Sequence, residues 1–259
     1  TAYEIYDANN INPLYGFFVA RAGLGASESM RSKLAEYNDP RLSRAFITKQ
    51  GTSGKEQAPG TADNAVYAPN GTPEQGTSKY GTSLFMYSIS APTLLLSYHE
   101  LKFLEAEALC RLERDAKSAL KDAVVAGLLN AENSFTISRK ELGKTLINAA
   151  SSITEAEAES YFDNTIEAKY TAEPLKTTMT QKYFALWGAS GEATESYNDV
   201  RRMKGLGENF IELKNPNSFP LRCPYGNSDT TTNAEVKAAY GNGQYVYSEN
   251  VWWAGAVSY

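Results

Sequence analysis

The sequence contains a single histidine and only two cysteines among its 259 residues. His99 alone cannot form a multi-histidine zinc site. Cys110 and Cys223 lie too far apart in the chain for a CxxC redox pair, and two cysteines are too few for a four-cysteine zinc site. A metal site, if present, would therefore have to use oxygen ligands, and we expect no metal and no cofactor. Cys110 falls within a helical apolar pattern, which favours a buried free thiol.

Long apolar runs and an excess of positive charge are also missing. A membrane-spanning helix needs roughly 18 to 20 consecutive apolar residues. The densest run, Thr93 to Leu96, is followed at once by Ser97. The 25 Lys and Arg residues against 30 Asp and Glu residues give a net charge of −5, and no basic patch is visible. The sequence therefore predicts no transmembrane segment and no nucleic-acid partner.

The composition is that of a folded protein with one long irregular segment. Hydrophobic residues make up 42% of the chain and charged residues 21%, which lies in the globular range. Residues 49–90 are rich in Gly, Thr, Ser, Asn and Pro and show neither a helical nor a strand period. Because tyrosines alternate with these small polar residues, we expect an ordered surface loop over 49–90.

Helical patterns dominate the rest of the chain. One stripe predicts an amphipathic helix with its apolar face toward the core; it consists of Leu94, Tyr98, Leu101, Leu104, Ala108 and Leu112. A second helix is expected over 116–130, so the two form a hairpin. Three capping-box sequences predict further helix starts at Ser138, Thr154 and Thr178. Since no repeat of fixed length is present, the sequence predicts an all-α fold of irregular helical hairpins.

No motif for catalysis stands out. His99 lies within a predicted helix, and the chain has no GxSxG nucleophile motif, so a packing role is favoured for this histidine. The 30 acidic residues leave a two-carboxylate glycosidase open, although no spacing supports one. Arg201 and Arg202 fall at a helix C-terminus, where pairing with the helix dipole and nearby carboxylates is favoured over anion binding.

Aromatic residues are the most informative set, with 17 Tyr, 10 Phe and 3 Trp. A sugar ring offers an apolar face and a rim of hydroxyls, so a neutral glycan site needs flat rings beside amides and hydroxyls. The 49–90 loop supplies that mixture. We therefore take Tyr67, Tyr80 and Phe85 as candidate glycan-binding residues. The alternative is that these rings only pack the loop onto the helices, and packing is favoured for Trp187.

Several short motifs also stand in a distinctive order along the chain. They are Asn12-Pro13-Leu14-Tyr15, Asp39-Pro40-Arg41-Leu42, residues 98–108 (YHELKFLEAEA), residues 181–187 (QKYFALW) followed by 195–202 (ESYNDVRR), Pro220 to Tyr225, and Val251-Trp252-Trp253. Together they resemble the C-terminal part of the SusD-like (SusD/RagB type) outer-membrane lipoproteins of Bacteroidota. Two departures are visible, because Ser196-Tyr197 replaces Ala-Trp and Cys223-Pro224-Tyr225 reorders a Tyr-Pro turn.

This resemblance implies an all-α superhelical fold and a non-catalytic role. Residues 1–259 would form a single SusD-like domain, without the N-terminal helical repeats and the lipidated cysteine of the family. The family captures nutrients at the cell surface, anchored to the outer membrane by lipid, and passes them to a SusC-like TonB-dependent transporter. The glycan or other nutrient is not specified by the sequence.

Three hypotheses follow for function. The leading one is a non-enzymatic protein that binds an oligosaccharide or polysaccharide through rings of the long loop. The second is a scaffolding subunit that docks on the transporter and binds no sugar. The third, an acid/base glycosidase, has the least support.

Overall fold

The computed structural model describes most of the chain. The described residues are 2–3, 6–21, 25–50, 55–57, 67–71, 80–142, 151–189, 191–212, 214, 219–241, 245–251 and 254. The chain divides into two compact units, Thr1–Glu212 and Leu213–Tyr259. The helices of the described residues are α1 (Pro13–Arg21), α2 (Glu28–Glu36), α3 (Tyr98–Arg111), α4 (Lys117–Leu142), α5 (Glu155–Tyr161), α6 (Glu167–Ala172), α7 (Pro174–Leu186), α8 (Glu195–Gly205), α9 (Asn227–Thr232) and α10 (Ala234–Tyr240). The all-α prediction is confirmed.

The predicted hairpin of α3 and α4 is at the centre of the first unit. Helix α3 packs against both α4 and α7. Gly127 of α4 allows the close approach to α7, since a Cβ atom there would lie 2.9 Å from Ala185 Cβ. Helix α4 extends to Leu142, well beyond the predicted end at residue 130, and it also packs against α5.

Only one of the three predicted capping boxes lies at the start of a helix. Thr154 does cap α5, accepting a hydrogen bond from Glu157 N at 3.2 Å. The prediction at Ser138 was wrong, because this residue lies inside α4 with its Oγ 2.6 Å from the carbonyl oxygen of Leu84. Thr178 is likewise internal to α7, where its hydroxyl donates to Pro174 O. Helix α7 begins with a proline, which needs no amide partner in the first turn.

The apolar stripe of α3 does not face the core of this chain, which corrects the sequence-based expectation. The residues of α3 that are buried are His99, Glu100, Phe103, Ala106 and Glu107. Leu94, which precedes the helix, is buried, but the part of the stripe on α3 and its C-cap is exposed: Tyr98 is 58% exposed, Leu101 52%, Leu104 41% and Leu112 66%. At about 100° per residue, the two faces lie on opposite sides of the helix. Helix α3 therefore has a buried side of mixed polar and apolar residues and an exposed side that is largely apolar.

A buried ion pair fixes the turn after α2 to the helical core. Arg41 is 2% exposed and Asp39 is 2% exposed. The guanidinium donates through Nε to Asp39 Oδ1 at 2.8 Å and through Nη2 to Asp39 Oδ2 at 2.6 Å. Its Nη1 donates to the carbonyl oxygen of Phe184 in α7 at 2.7 Å. The Asp39-Pro40-Arg41-Leu42 motif thus links the turn to the end of α7.

Short strands, which the sequence did not predict, accompany the helices. Strand β1 (Ala2–Tyr3) pairs antiparallel with β5 (Thr93–Leu94), with Ala2 opposite Leu94. Strand β2 (Phe46–Gln50) lies between β3 (Lys55–Gln57) and β4 (Thr82–Ser83). A 3₁₀-helix, Leu84–Tyr87, follows β4.

The predicted 49–90 loop is described only in part. Its described residues are 49–50, 55–57, 67–71 and 80–90, and they contain strand pairings and the 3₁₀-helix Leu84–Tyr87. The rest of this loop lies outside the described residues, as do Trp252 and Trp253.

The second unit contains α9 and α10. Tyr225 and Tyr240 stack at 4.4 Å between ring centroids, and Leu221 N donates to Val246 O at 2.7 Å. Cys223 is an exposed free thiol in this unit.

Candidate functional site

A chain of aromatic rings connects the loop to the helical core. Phe46 packs edge-on against Tyr67 at 5.2 Å between centroids and also lies 5.3 Å from Trp187. Trp187 contacts Phe85 at 5.0 Å, and Phe85 contacts Phe135 at 4.8 Å. The inner rings are buried, while Tyr67 and Trp187 are half-buried. The cluster therefore reaches solvent at two rings.

The three predicted glycan-binding residues have different surroundings. Phe85 is 4% exposed and Tyr80 is 7% exposed, so neither ring has a face open for stacking on a sugar. The 3₁₀-helix causes this burial of Phe85, because it directs the ring against α4 and the end of α7. Tyr67 is half-buried at the edge of the cluster. Their contact with glycan stays a prediction, and the geometry favours Tyr67.

Polar groups from α2 and from the loop surround Tyr67. The Arg31 guanidinium lies over the Tyr67 ring, 5.5 Å from its centroid. Ser27, the N-cap of α2, donates from Oγ to Asn70 Oδ1 at 2.9 Å. Ser27 also forms a β-bridge with Ala68, which brings the loop residues beside α2.

This arrangement presents hydrogen-bond donors beside a flat ring. Arg31 Nε is buried and finds no acceptor among the described residues. The Asn70 oxygen accepts the hydrogen bond from Ser27, and the amide nitrogen of Asn70 carries two further N–H donors. Donors next to a ring fit the hydroxyl rim and apolar face of a sugar. We define Arg31, Tyr67 and Asn70 as the candidate site.

Of these three residues, the sequence indicated only Tyr67. Asn70 and Gly71 form a turn, in which Gly71 has φ +74°, and an Asn-Gly pair predicts such a turn. Nothing in the sequence predicts that Arg31, on a separate helix, lies over the ring.

A second opening lies between the turn after α2 and the α5 region. Its volume is about 480 Å³, within the usual range for ligand pockets. Most of its lining residues carry polar side chains, including Asn38, Ser43, Ser160, Asn164 and Thr165. A π-helix, Phe162–Ile166, forms part of the wall. Its lining includes Tyr161, but that residue is only 6% exposed, so the opening lacks the ring face that favours a sugar.

Two buried acids come together near the start of α3. Glu192, 2% exposed, accepts a hydrogen bond from the backbone amide of Ser97. Burial, together with the hydrogen bond and negative charge of Glu192, raises the pKa of Glu100 to about 7. Burial lowers the pKa of His99, whose Nε2 lies 3.5 Å from Glu192 Oε2. These groups line neither the opening of about 480 Å³ nor a smaller cavity of about 230 Å³ against α4, so their arrangement fits packing rather than acid/base chemistry.

A smaller cavity of about 230 Å³ lies against α4. Asn130, Asn133 and Thr136 line one side, and Pro92 and Leu94 line another. No aromatic residue is part of its described lining.

The two-arginine motif serves packing between helices. Arg202 donates through Nη2 to Glu107 Oε2 at 2.8 Å and to Asp199 Oδ1 at 2.8 Å. Asp199 in turn pairs with the buried Lys182 at 2.7 Å. For Arg202, the predicted pairing with neighbouring carboxylates is therefore confirmed. Among the described residues, no group of three or more His, Cys, Asp or Glu side chains could hold a metal ion.

Comparison with known families decides the membership of the chain. A family model, SusD-like_2, described as starch-binding and associating with the outer membrane, matches residues 2–225. The chain belongs to this SusD-like family. No curated protein matches the chain. Within the part of the chain that the structure describes, no helix is both long and apolar enough to cross a membrane.

Solved structures support the SusD-like assignment. A SusD/RagB family protein from Bacteroides thetaiotaomicron shares 63% identity with a TM-score of 0.90, and the chain covers 56% of it. An outer membrane protein of Bacteroides vulgatus connected with nutrient binding shares 21% identity with a TM-score of 0.64. A SusD homologue from Bacteroides fragilis shares 17% identity with a TM-score of 0.65. The last two support the fold alone.

The chain spans only about half of the length of these three solved relatives. It is matched over 98–100% of its own length, yet it spans 56% of each of these three proteins. The relatives therefore contain additional polypeptide that has no counterpart in these 259 residues.

Proposed function

We propose that the protein is a non-catalytic glycan-binding component of a bacterial nutrient-uptake system, held at the cell surface by a lipid anchor. It works with a SusC-like TonB-dependent transporter, to which it delivers an oligosaccharide or polysaccharide. The observation that carries this proposal is the family match over residues 2–225, whose description is starch-binding and associating with the outer membrane.

The candidate site supplies a recognition chemistry for such a ligand. The exposed part of the Tyr67 ring contacts the C–H face of a sugar, while Arg31 and Asn70 donate hydrogen bonds to its hydroxyls. Tyr80 and Phe85 act indirectly, because their buried rings hold the loop against the helices. This assignment is more specific than the sequence prediction, which gave all three rings the same role.

Isothermal titration calorimetry against a panel of soluble polysaccharides, with starch-type glucans first, tests the proposal. We expect binding by the unmodified chain and an affinity about two- to tenfold weaker for Tyr67→Ala, since an aromatic contact contributes roughly 0.5–1.5 kcal/mol. Arg31→Met, which keeps the aliphatic stem and removes the donors, should also weaken binding. Circular dichroism checks that each variant is folded.

The matched control is Tyr197→Ala. Arg201 lies over the Tyr197 ring at 5.6 Å on the surface of α8, so this pair repeats the arrangement of Arg31 and Tyr67 without the loop. Its removal should leave the affinity unchanged. A folded, unmodified chain that binds no glycan in the panel contradicts the proposal, and reducing-sugar release by the chain would contradict the non-catalytic role.

The scaffolding alternative is favoured by one observation, the burial of Tyr80 and Phe85. A scaffold would bind its transporter but no sugar. A pull-down with the transporter, combined with the calorimetry, separates the two functions. Transporter capture without glycan binding supports the scaffold, whereas glycan binding that is sensitive to Tyr67→Ala supports the leading proposal.

A further inference from the structure

The charge of Arg31 at the candidate site has no counter-ion among the described residues. Its Nε is buried without a hydrogen-bond acceptor, and no ion pair within the described ranges includes its guanidinium. By contrast, the buried Arg41 of the turn after α2 pairs with Asp39 at 2.6 Å. Taking a charge out of water without a partner costs free energy. A half-buried guanidinium without a carboxylate partner therefore favours an anion that a ligand supplies.

The fold places this charge beside the other groups of the candidate site. Arg31 N donates to Ser27 O at 3.1 Å, so Arg31 lies one turn beyond the N-cap on the same side of α2. Ser27 Oγ in turn holds the side chain of Asn70 at 2.9 Å. The guanidinium lies 5.5 Å from the centroid of the Tyr67 ring. A cation, an amide and an aromatic ring therefore lie side by side in the first unit.

A guanidinium matches the shape of a carboxylate or a sulfate. Its planar N–H groups form a rigid fork that donates two parallel hydrogen bonds to such an anion. A neutral sugar offers hydroxyls instead, and hydrogen bonds to charged groups are roughly twice as strong as neutral ones. A uronic acid carries its carboxylate on the rim of the sugar ring. A sugar that lies against Tyr67 therefore brings this carboxylate close to Arg31.

We propose that the glycan bound at the candidate site is anionic, and that its carboxylate or sulfate ester pairs with the Arg31 guanidinium. This inference rests on the proposed function, because it names the class of glycan for the same site. The composition of the 49–90 loop predicted a neutral glycan, and Arg31, which comes from α2, alters that prediction. The net charge of −5 repels polyanions at long range, but salt screens charges beyond about 8 Å at physiological ionic strength.

Pairs of short oligosaccharides that differ only in charge test the inference. Isothermal titration calorimetry, at about 0.15 M salt, compares a trimer of galacturonate with its methyl ester, in which each carboxyl group is neutral. A sulfated galactan oligosaccharide and its unsulfated form are the second pair, so the two sources of negative charge are tested separately. We expect the charged member of at least one pair to bind at least about tenfold more tightly than its neutral counterpart.

Substitutions at Arg31 show whether its charge causes the preference. Arg31→Met should abolish the preference for the charged member, whereas Arg31→Lys keeps the charge without the planar fork and should retain part of it. The matched control is Arg201→Met, because Arg201 lies over the Tyr197 ring at 5.6 Å on α8. This control should leave the preference unchanged. Circular dichroism checks that each variant is folded.

The other possible results count against the inference. If the folded chain binds neutral glycans at least as tightly as the charged members of both pairs, the inference is overturned while the proposed function stands. A preference for the charged member that survives Arg31→Met also overturns it, because the charge is then recognised elsewhere. If no glycan binds, charged or neutral, both the proposed function and this inference are contradicted.

Discussion

Replacing Gly188 by alanine tests how the aromatic cluster packs against the end of α7. Gly188 has φ +78°, and a Cβ atom there would lie 2.3 Å from Phe85 Cγ and within 2.5 Å of both Cδ atoms. The backbone conformation alone costs a residue with a side chain about 1–2 kcal/mol. Forced overpacking against the buried ring adds about 1–3 kcal/mol. We expect Gly188→Ala to lower the free energy of unfolding by about 2–5 kcal/mol.

Two other glycines separate these contributions. Gly207 has φ +77° with no atom within 4 Å of the added Cβ, so Gly207→Ala should show only the backbone cost of about 1–2 kcal/mol. Gly205 ends α8 and also has open space around it. Gly205→Ala should be neutral or stabilising by up to about 1 kcal/mol, because alanine is the better helix former.

Urea denaturation followed by circular dichroism measures all three variants. In a Phe85→Ala background the clash disappears, and the cost of Gly188→Ala should fall to the backbone contribution alone. The reasoning is refuted if Gly188→Ala is no more destabilising than Gly207→Ala. If Phe85→Ala does not fold, the contrast between these two glycines alone decides the matter.

Two further predictions concern buried charge. The pKa of Glu100 is raised from its ordinary value to about 7, so the folded state holds this proton more tightly than the unfolded state. The free energy of unfolding should therefore fall as the pH rises from about 5 to 8. Glu100→Gln should flatten this decline in the urea midpoint, and an unaltered pH profile would contradict the raised pKa. Asp39→Asn leaves the buried Arg41 charge without its partner and should lower the free energy of unfolding by about 3–5 kcal/mol. Asp163→Asn breaks an exposed ion pair and should leave the urea midpoint nearly unchanged, so it is the control in the same urea denaturation experiment.

Local signals predicted much of the helical framework. The period of apolar residues located α3 and α4, and the Thr154 capping box marked the start of α5. Capping and periodicity depend on residues within a few positions of each other, and for this reason they can be recognised without the fold. The same rules failed at Ser138 because a serine inside a long helix can satisfy its hydroxyl on a neighbouring carbonyl.

The candidate site was less predictable. The composition of the loop indicated Tyr67, Tyr80 and Phe85 together, but only the packing of the 3₁₀-helix against α4 and the end of α7 shows that Phe85 is buried. Arg31 comes from α2, and its position over Tyr67 results from the bridge between Ser27 and Ala68. Contacts between distant segments of this kind depend on the whole fold.

The sequence by itself determined the helical class, the family resemblance and the existence of an apolar stripe on α3, since each depends on residue types and their spacing along the chain. Tertiary structure decided which side of α3 is buried and which loop ring remains accessible. Periodicity shows that a helix has an apolar face, but the neighbour that covers it is chosen by long-range packing.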